Sequence, residues 1–202
     1  MGCDIHMYVE CRDRFKDEVS QWRNCDHWKL NKYYENDEDS YEQKYKVVGI
    51  YDDRDYFLFS VLADVRNYSD IPFICQPKGL PMDCTDVVKE ISDIWNGDGH
   101  SHSFLTLAEI KKFNHLHKKY KRSGYVPKKE AQKLDDGIEP DHWCQWTNQE
   151  GYEYREWETS YNPLDGLILA LEKRMKEEFY IYRDKYDKII EEDIRIVFWF
   201  DN

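Results

Sequence analysis

No stretch of this chain approaches the roughly 20 consecutive apolar residues that a membrane-spanning helix requires, so the reading contains no helical membrane anchor. A surplus of positive charge is missing as well. Lys and Arg number 29 against 41 Asp and Glu, a formal net charge of -12. A chain so acidic lacks the cationic face needed to displace counterions from a long nucleic acid. Cys3, Cys11, Cys25, Cys75, Cys84 and Cys144 are scattered, with no C-x-x-C pair among them. With no leader expected before Gly2, a reducing compartment and free thiols follow. Asp4 and His6 interrupt any apolar run that could serve as a signal peptide. Gly2 fits only part of a myristoylation motif, because His6 stands where Ser or Thr is required. Internal repeats and low-complexity blocks are absent too.

Aromatic residues are abundant: 16 Tyr, 9 Phe and 7 Trp. With a mean hydropathy of -0.90, they imply a soluble protein whose core is built from rings. A length of 202 residues suits one α+β domain spanning 1–202. Residues 3–11 alternate as a strand does, with Cys3, Ile5, Met7, Val9 and Cys11 on one side and Asp4, His6, Tyr8 and Glu10 on the other. Residues 21–34 read as a second strand or hairpin, 35–42 as an acidic loop and 44–51 as a short strand. Residues 54–65 and 85–95 carry apolar residues at helical spacing. A glycine-bearing loop is expected over 96–103, then a helix opened by a Thr106/Glu109 capping box and fraying at Ser123-Gly124. His115, His117, Lys118, Lys119, Lys121 and Arg122 read as a solvated basic face of that helix. Residues 125–161, rich in Trp and Tyr, read as an insertion or lid. Asn162-Pro163 opens a long helix whose apolar stripe runs to Ile189. Residues 194–202 are apolar at nearly every position, as in a strand covered on both faces. The expected fold is a mixed or antiparallel sheet with the N- and C-terminal strands adjacent and helices packed on it.

Gly2-Cys3-Asp4-Ile5-His6, the helix ending Leu62-Ala63-Asp64-Val65-Arg66-Asn67, Lys78-Gly79-Leu80-Pro81, the run from Asp98 to Thr106 and the terminal run from Arg195 to Asn202 form a recognisable set. In these motifs the chain resembles a widespread, mostly uncharacterised family of bacteriophage and prophage proteins. The resemblance implies viral origin and a location in the host cytoplasm, and carries no activity with it. Relatives tend to have Trp where this chain has Gly99, so a stacking ring is expected to be lacking there.

The polar residues of these stretches support three readings. In the first, Asp4, His6, His100 and His102 bind zinc or manganese, which would generate hydroxide from bound water, with Asp98 or Asp201 completing or orienting the shell. In the second, a metal-free pocket takes a small nucleotide-like ligand. Arg66 would offer a fork for phosphate, helped by Asp4, Asn67, Asp98, His100, Ser101, Ser103 and Asp201, with His6 and His102 as acid and base. Trp or Tyr from 143–161 would stack a base, and a phage protein of this kind would blunt a host immune signal. In the third, the same residues cap turns and pair with neighbours such as Arg66 or Arg195, and the protein inhibits a host defence protein through its surface. Ser101 and Ser103 lack the strand-turn-helix elbow of a serine nucleophile.

Overall fold

The two apolar strands read at the ends of the sequence pair with each other. Asp4–Cys11 forms β1 and Ile194–Asp201 forms β10, antiparallel, with Ile5 opposite Phe200, Tyr8 opposite Val197 and Glu10 opposite Arg195. The computed structural model describes residues 2–15, 18–34, 44–51, 53–95, 97–182 and 190–202, with the backbone alone for 179–182. Between the end strands lie β2 (Arg14–Phe15), β3 (Glu18–Val19), β4 (Arg23–Asn24), β5 (His27–Leu30), β6 (Tyr45–Val48), α1 (Tyr56–Ala63) and α2 (Asp86–Ile94). Then follow β7 (His100–Thr106), α3 (Leu107–Leu116), β8 (Tyr120–Pro127), α4 (Lys128–Asp135), β9 (Tyr152–Thr159) and α5 (Leu164–Tyr182). The class is α+β, with the terminal strands adjacent in an antiparallel sheet.

Described residues fall into two compact units. The first comprises Met1–Arg54, Pro77–Ile110 and Gly166–Asn202; the second comprises Asp55–Gln76 and Lys111–Asp165. The 125–161 stretch thus belongs to a larger body that includes α1 and β8.

In the first unit the sheet order is β4-β1-β10-β7. One face carries Tyr8, Val197 and Trp199, buried against Val88 and Ile91 of α2. Burial of this apolar set holds the sheet and helix together at about 25 cal/mol per Å² removed from water. The polar side of β1 is therefore covered as well: Glu10 is 0% exposed. A carboxylate so enclosed needs a cation. Arg195, directly opposite, donates from Nε (2.8 Å), and the Thr85 N–H ahead of α2 supplies another donor at 2.7 Å. The other face is apolar too, with Ile5, Met7, Val9, Ile196, Phe198, Phe200 and Leu105 all buried.

The second unit is organised by β8 and β9, paired antiparallel from Tyr120 opposite Thr159 to Pro127 opposite Tyr152. Val126, Ala131 and Trp157 form a small core there. Asp55 caps α1, its carboxylate accepting from Phe57 N at 2.9 Å, while Asp64 ends the helix at φ 61°.

Several expectations need correction. Of the 96–103 segment, Gly97 and Asp98 form a turn and the stretch from His100 is β7, the edge partner of β10, while Asn96 lies outside the described residues. The helix after it begins at its capping box, with Glu109 Oε2 accepting from Thr106 N at 2.7 Å, but stops at Leu116. Residues 120–127 are strand, so Lys121 and Arg122 do not continue a helical basic face. Residues 21–34 divide between β4, in the main sheet, and β5, which pairs with β6 alone. The long helix starts as read, with Asn162 Oδ1 accepting from Leu164 N at 3.1 Å. The acidic run 35–42 and the stripe's end at Tyr186 and Ile189 lie outside the described residues.

Candidate functional site

Three neighbouring strands of the first unit bring His6, Trp199 and His102 onto one face. Trp199 sits on β10 opposite His6 of β1, and the two rings lie 5.6 Å apart at 22°. His102, on β7, stacks on the same indole at 5.4 Å and 19°. Trp95, just past α2, closes over His6 at 4.1 Å. An imidazole thus lies between two indoles, with its edge reaching the surface.

That edge is paired. His6 Nε2 donates to Asp201 Oδ2 at 3.1 Å, the two side chains being 19% and 17% exposed. A carboxylate only accepts, so Nε2 holds the proton and Nδ1 of the neutral ring keeps its lone pair. Asp201 is itself fixed by the Asp4 N–H, which donates to Oδ1 at 3.0 Å. The arrangement is that of an acid orienting an imidazole toward base or acid work. His102 pairs differently, with Ser92 Oγ 3.0 Å from its Nε2. Burial, and then the neighbouring His100, lower its pKa, so His102 is neutral near pH 7.

Asp4 does not reach toward the imidazoles. Arg54 holds it with two short bonds, Nε to Oδ1 at 2.7 Å and Nη2 to Oδ2 at 2.6 Å. These bonds pull the Asp4 carboxyl below the usual range. Gly2 makes room for this fork: a Cβ there would stand 2.4 Å from Arg54 Nη1. The partner expected from sequence was Arg66 or Arg195; the actual one is Arg54.

The His-x-His pair is split. Ser101 has φ 54°, and a register shift falls between Phe198 and Phe200 where β7 meets β10. The extra residue of such a bulge turns the next side chain to the opposite side. His100 accordingly stacks on Phe200 at 6.0 Å, while His102 stacks on Trp199, the preceding residue of the strand and so the opposite face. His100 Nδ1 contacts Ser101 Oγ at 3.0 Å, and its Nε2 is buried without a partner. Asp4, His6, His100 and His102 therefore do not make a ligand set. Among the described residues no group of three or more His, Cys, Asp or Glu side chains is placed to hold a metal ion.

Other expected residues have local tasks. Ser103 is fully buried and its Oγ accepts from the Lys78 N–H at 3.3 Å. Asp98 lies in the exposed turn after α2, its N–H donating to Trp95 O. Gly79, at φ 83°, donates its N–H to His102 O at 2.8 Å, which explains the Lys-Gly-Leu-Pro motif as a strap beside β7. Arg66 and Asn67 belong to the second unit. The Asn67 amide staples the 64–71 loop, donating to Asp64 Oδ1 (2.7 Å) and accepting from the Ile71 N–H (2.9 Å). Arg66 Nη1 donates to Tyr68 Oη at 3.0 Å.

Arg54, Ser92 and Trp95 were not singled out in sequence. In the sequence Trp95 read only as part of the apolar face of the 85–95 helix. A Cβ at Gly99 would lie 3.3 Å from Trp95 Cβ and 3.4 Å from His102 Cε1, so Gly99 leaves space beside both. Comparison with protein-family models, with curated proteins and with solved structures finds no match for this chain.

Proposed function

We propose that the protein binds a small phosphorylated, nucleotide-like ligand at the Asp4–His6–Asp201 edge of the first unit and cleaves a phosphodiester there. The observation that carries this reading is the half-open His6–Asp201 pair packed against Trp95. His6 Nδ1 takes a proton from the attacking hydroxyl or water as its oxygen bonds to phosphorus, Asp201 stabilises the resulting imidazolium, and the imidazolium returns the proton to the leaving oxygen as the ester P–O bond breaks. Trp95 offers a face for a base. Arg54 is half-exposed in its pairing with Asp4, a pairing worth little in water, so a phosphate dianion competes for the same fork. In the phage setting that the motifs imply, the ligand is a host immune signal and its removal counters that defence.

The test is a panel of cyclic and linear nucleotides, read by thermal shift and by product analysis. Wild type should be stabilised by the right ligand, by about 2.7 kcal/mol at a hundredfold excess over Kd, and should turn it over. His6→Ala should lose turnover while keeping the shift; Asp201→Asn should lower turnover by about a hundredfold or more. Neither shift nor turnover across the panel would sink the proposal.

A second reading rests on a different observation. The β5–β6 ribbon exposes Trp28 (36%), Leu30 (63%) and Tyr45 (52%). Aromatic and apolar residues exposed in one patch mark a protein-binding surface, which fits inhibition of a host defence protein. Leu30→Lys with Tyr45→Lys should release such a partner and leave nucleotide binding unchanged.

A further inference from the structure

Among the described residues, the arginines other than Arg122 have a hydrogen-bond acceptor or carboxylate within reach. Arg12 has Asp193, Arg54 has Asp4, Arg155 has Glu153, Arg195 has Glu10, and Arg66 has Tyr68 Oη. The Arg122 side chain, on β8, has no hydrogen bond or ion pair with the described residues, and its Nε is buried without a partner. Rings surround it instead. Its guanidinium carbon lies 4.0 Å from the Phe57 centroid and 5.4 Å from those of Trp143 and Tyr161. Each ring face attracts the cation by about 0.5–2 kcal/mol, which offsets part of the desolvation. Ring faces cannot satisfy the in-plane N–H groups, which need oxygen acceptors in a fork geometry.

Asp55, an acid whose charge acts on Arg122, is committed elsewhere. Asp55 accepts from Phe57 N through Oδ1 and from Tyr161 Oη through Oδ2, at 2.9 Å each. Gly124 shows that room was made for the cage. A Cβ there would stand 2.7 Å from Trp143 Cε3, so the absence of a side chain lets the indole lie against β8. Trp143 and Tyr161 are still 37% and 52% exposed, leaving aromatic surface available to a ligand.

We propose that Arg122 anchors a second binding site, within the second unit, for a small organic anion that pairs a flat ring with a phosphate or carboxylate. The oxyanion takes the guanidinium fork that no described residue occupies, and the ligand's ring stacks on Trp143 or Tyr161. The site is independent of the His6 reading.

Calorimetric titration of the full chain with AMP, benzoate, inorganic phosphate and adenosine tests it. AMP or benzoate should bind saturably and adenosine should not; AMP alone selects phosphate chemistry, benzoate alone a carboxylate. Arg122→Lys keeps the charge but not the fork, and should weaken binding about tenfold or more. Arg122→Gln should weaken it further, with melting curves checking the fold of both variants. Inorganic phosphate should bind more weakly than AMP, since it lacks the ring. The proposal is overturned by no saturable binding of either anion, or by equal affinity in wild type and Arg122→Lys.

Discussion

Two places, one in each unit, treat buried charge differently. In the first, Glu10 meets Arg195, Asp193 meets Arg12, and His6 meets Asp201. In the second, the Arg122 side chain lies among rings and makes no ion pair with the described residues. A charge matched inside the chain belongs to the fold, and its energy is spent when folding is complete. A charge cushioned by quadrupoles keeps its hydrogen-bonding capacity for something else. The His6–Asp201 pair falls between these cases, matched yet open at one edge.

The comparison breaks most visibly at Arg195. Arg195→Met leaves Glu10 enclosed without its cation, and should cost about 3–5 kcal/mol in urea unfolding. A loss below about 1 kcal/mol would mean that Glu10 is not stabilised by charge matching.

Asp26 sharpens it, as an acid of the first unit held mainly by amides. Its carboxylate accepts from the Val9 N–H through both oxygens, at 3.1 and 3.0 Å, and from Asn24 at 2.7 Å. Burial outweighs these bonds and pushes its pKa up to about 6. Because the folded pKa exceeds the unfolded one, the folded state holds the extra proton. This group's contribution is therefore undiminished below about pH 4 and lost as pH rises through about 6. Asp26→Asn should gain on wild type by roughly 2–3 kcal/mol between pH 4 and 7. A difference in stability that does not vary with pH would refute the shift.

Gly124→Ala probes the cage, since the added methyl must displace Trp143. Overpacking of this kind costs about 1–3 kcal/mol, and AMP binding should fall with it. Asp55→Ala should have the smallest effect. Losing the α1 cap costs about 1 kcal/mol in thermal unfolding, while removing an acid whose charge acts on Arg122 leaves anion affinity the same or higher.

The parts legible in sequence were those where one periodicity dominates. β1 and β10 alternate or run apolar over their whole length, and α2, the Thr106–Glu109 box and the Asn162 cap carry short-range signals that tertiary packing does not override. β7 was misread because His100-Ser101-His102-Ser103 is polar throughout; its strand character comes from pairing with β10. β8 was misread because Lys121 and Arg122 suggested solvent, whereas Arg122 is half-buried among rings that come from positions 57, 143 and 161. The candidate site was half legible. His6 and Asp201 were named, but their partnership depends on register, Arg54 on the space left by Gly2, and the separation of His100 from His102 on a single backbone angle at Ser101.

The pairing of β1 with β10 also governs the birth of the molecule. Asp4 bonds to a residue 197 positions later. On the ribosome, at about 5–20 residues per second, the opening strand waits roughly 10–40 s for its partner. Throughout that interval its apolar side chains and edge are available to chaperones and to neighbouring nascent chains. The sheet closes only once β10 has been made, after the large loop-closure entropy has been met.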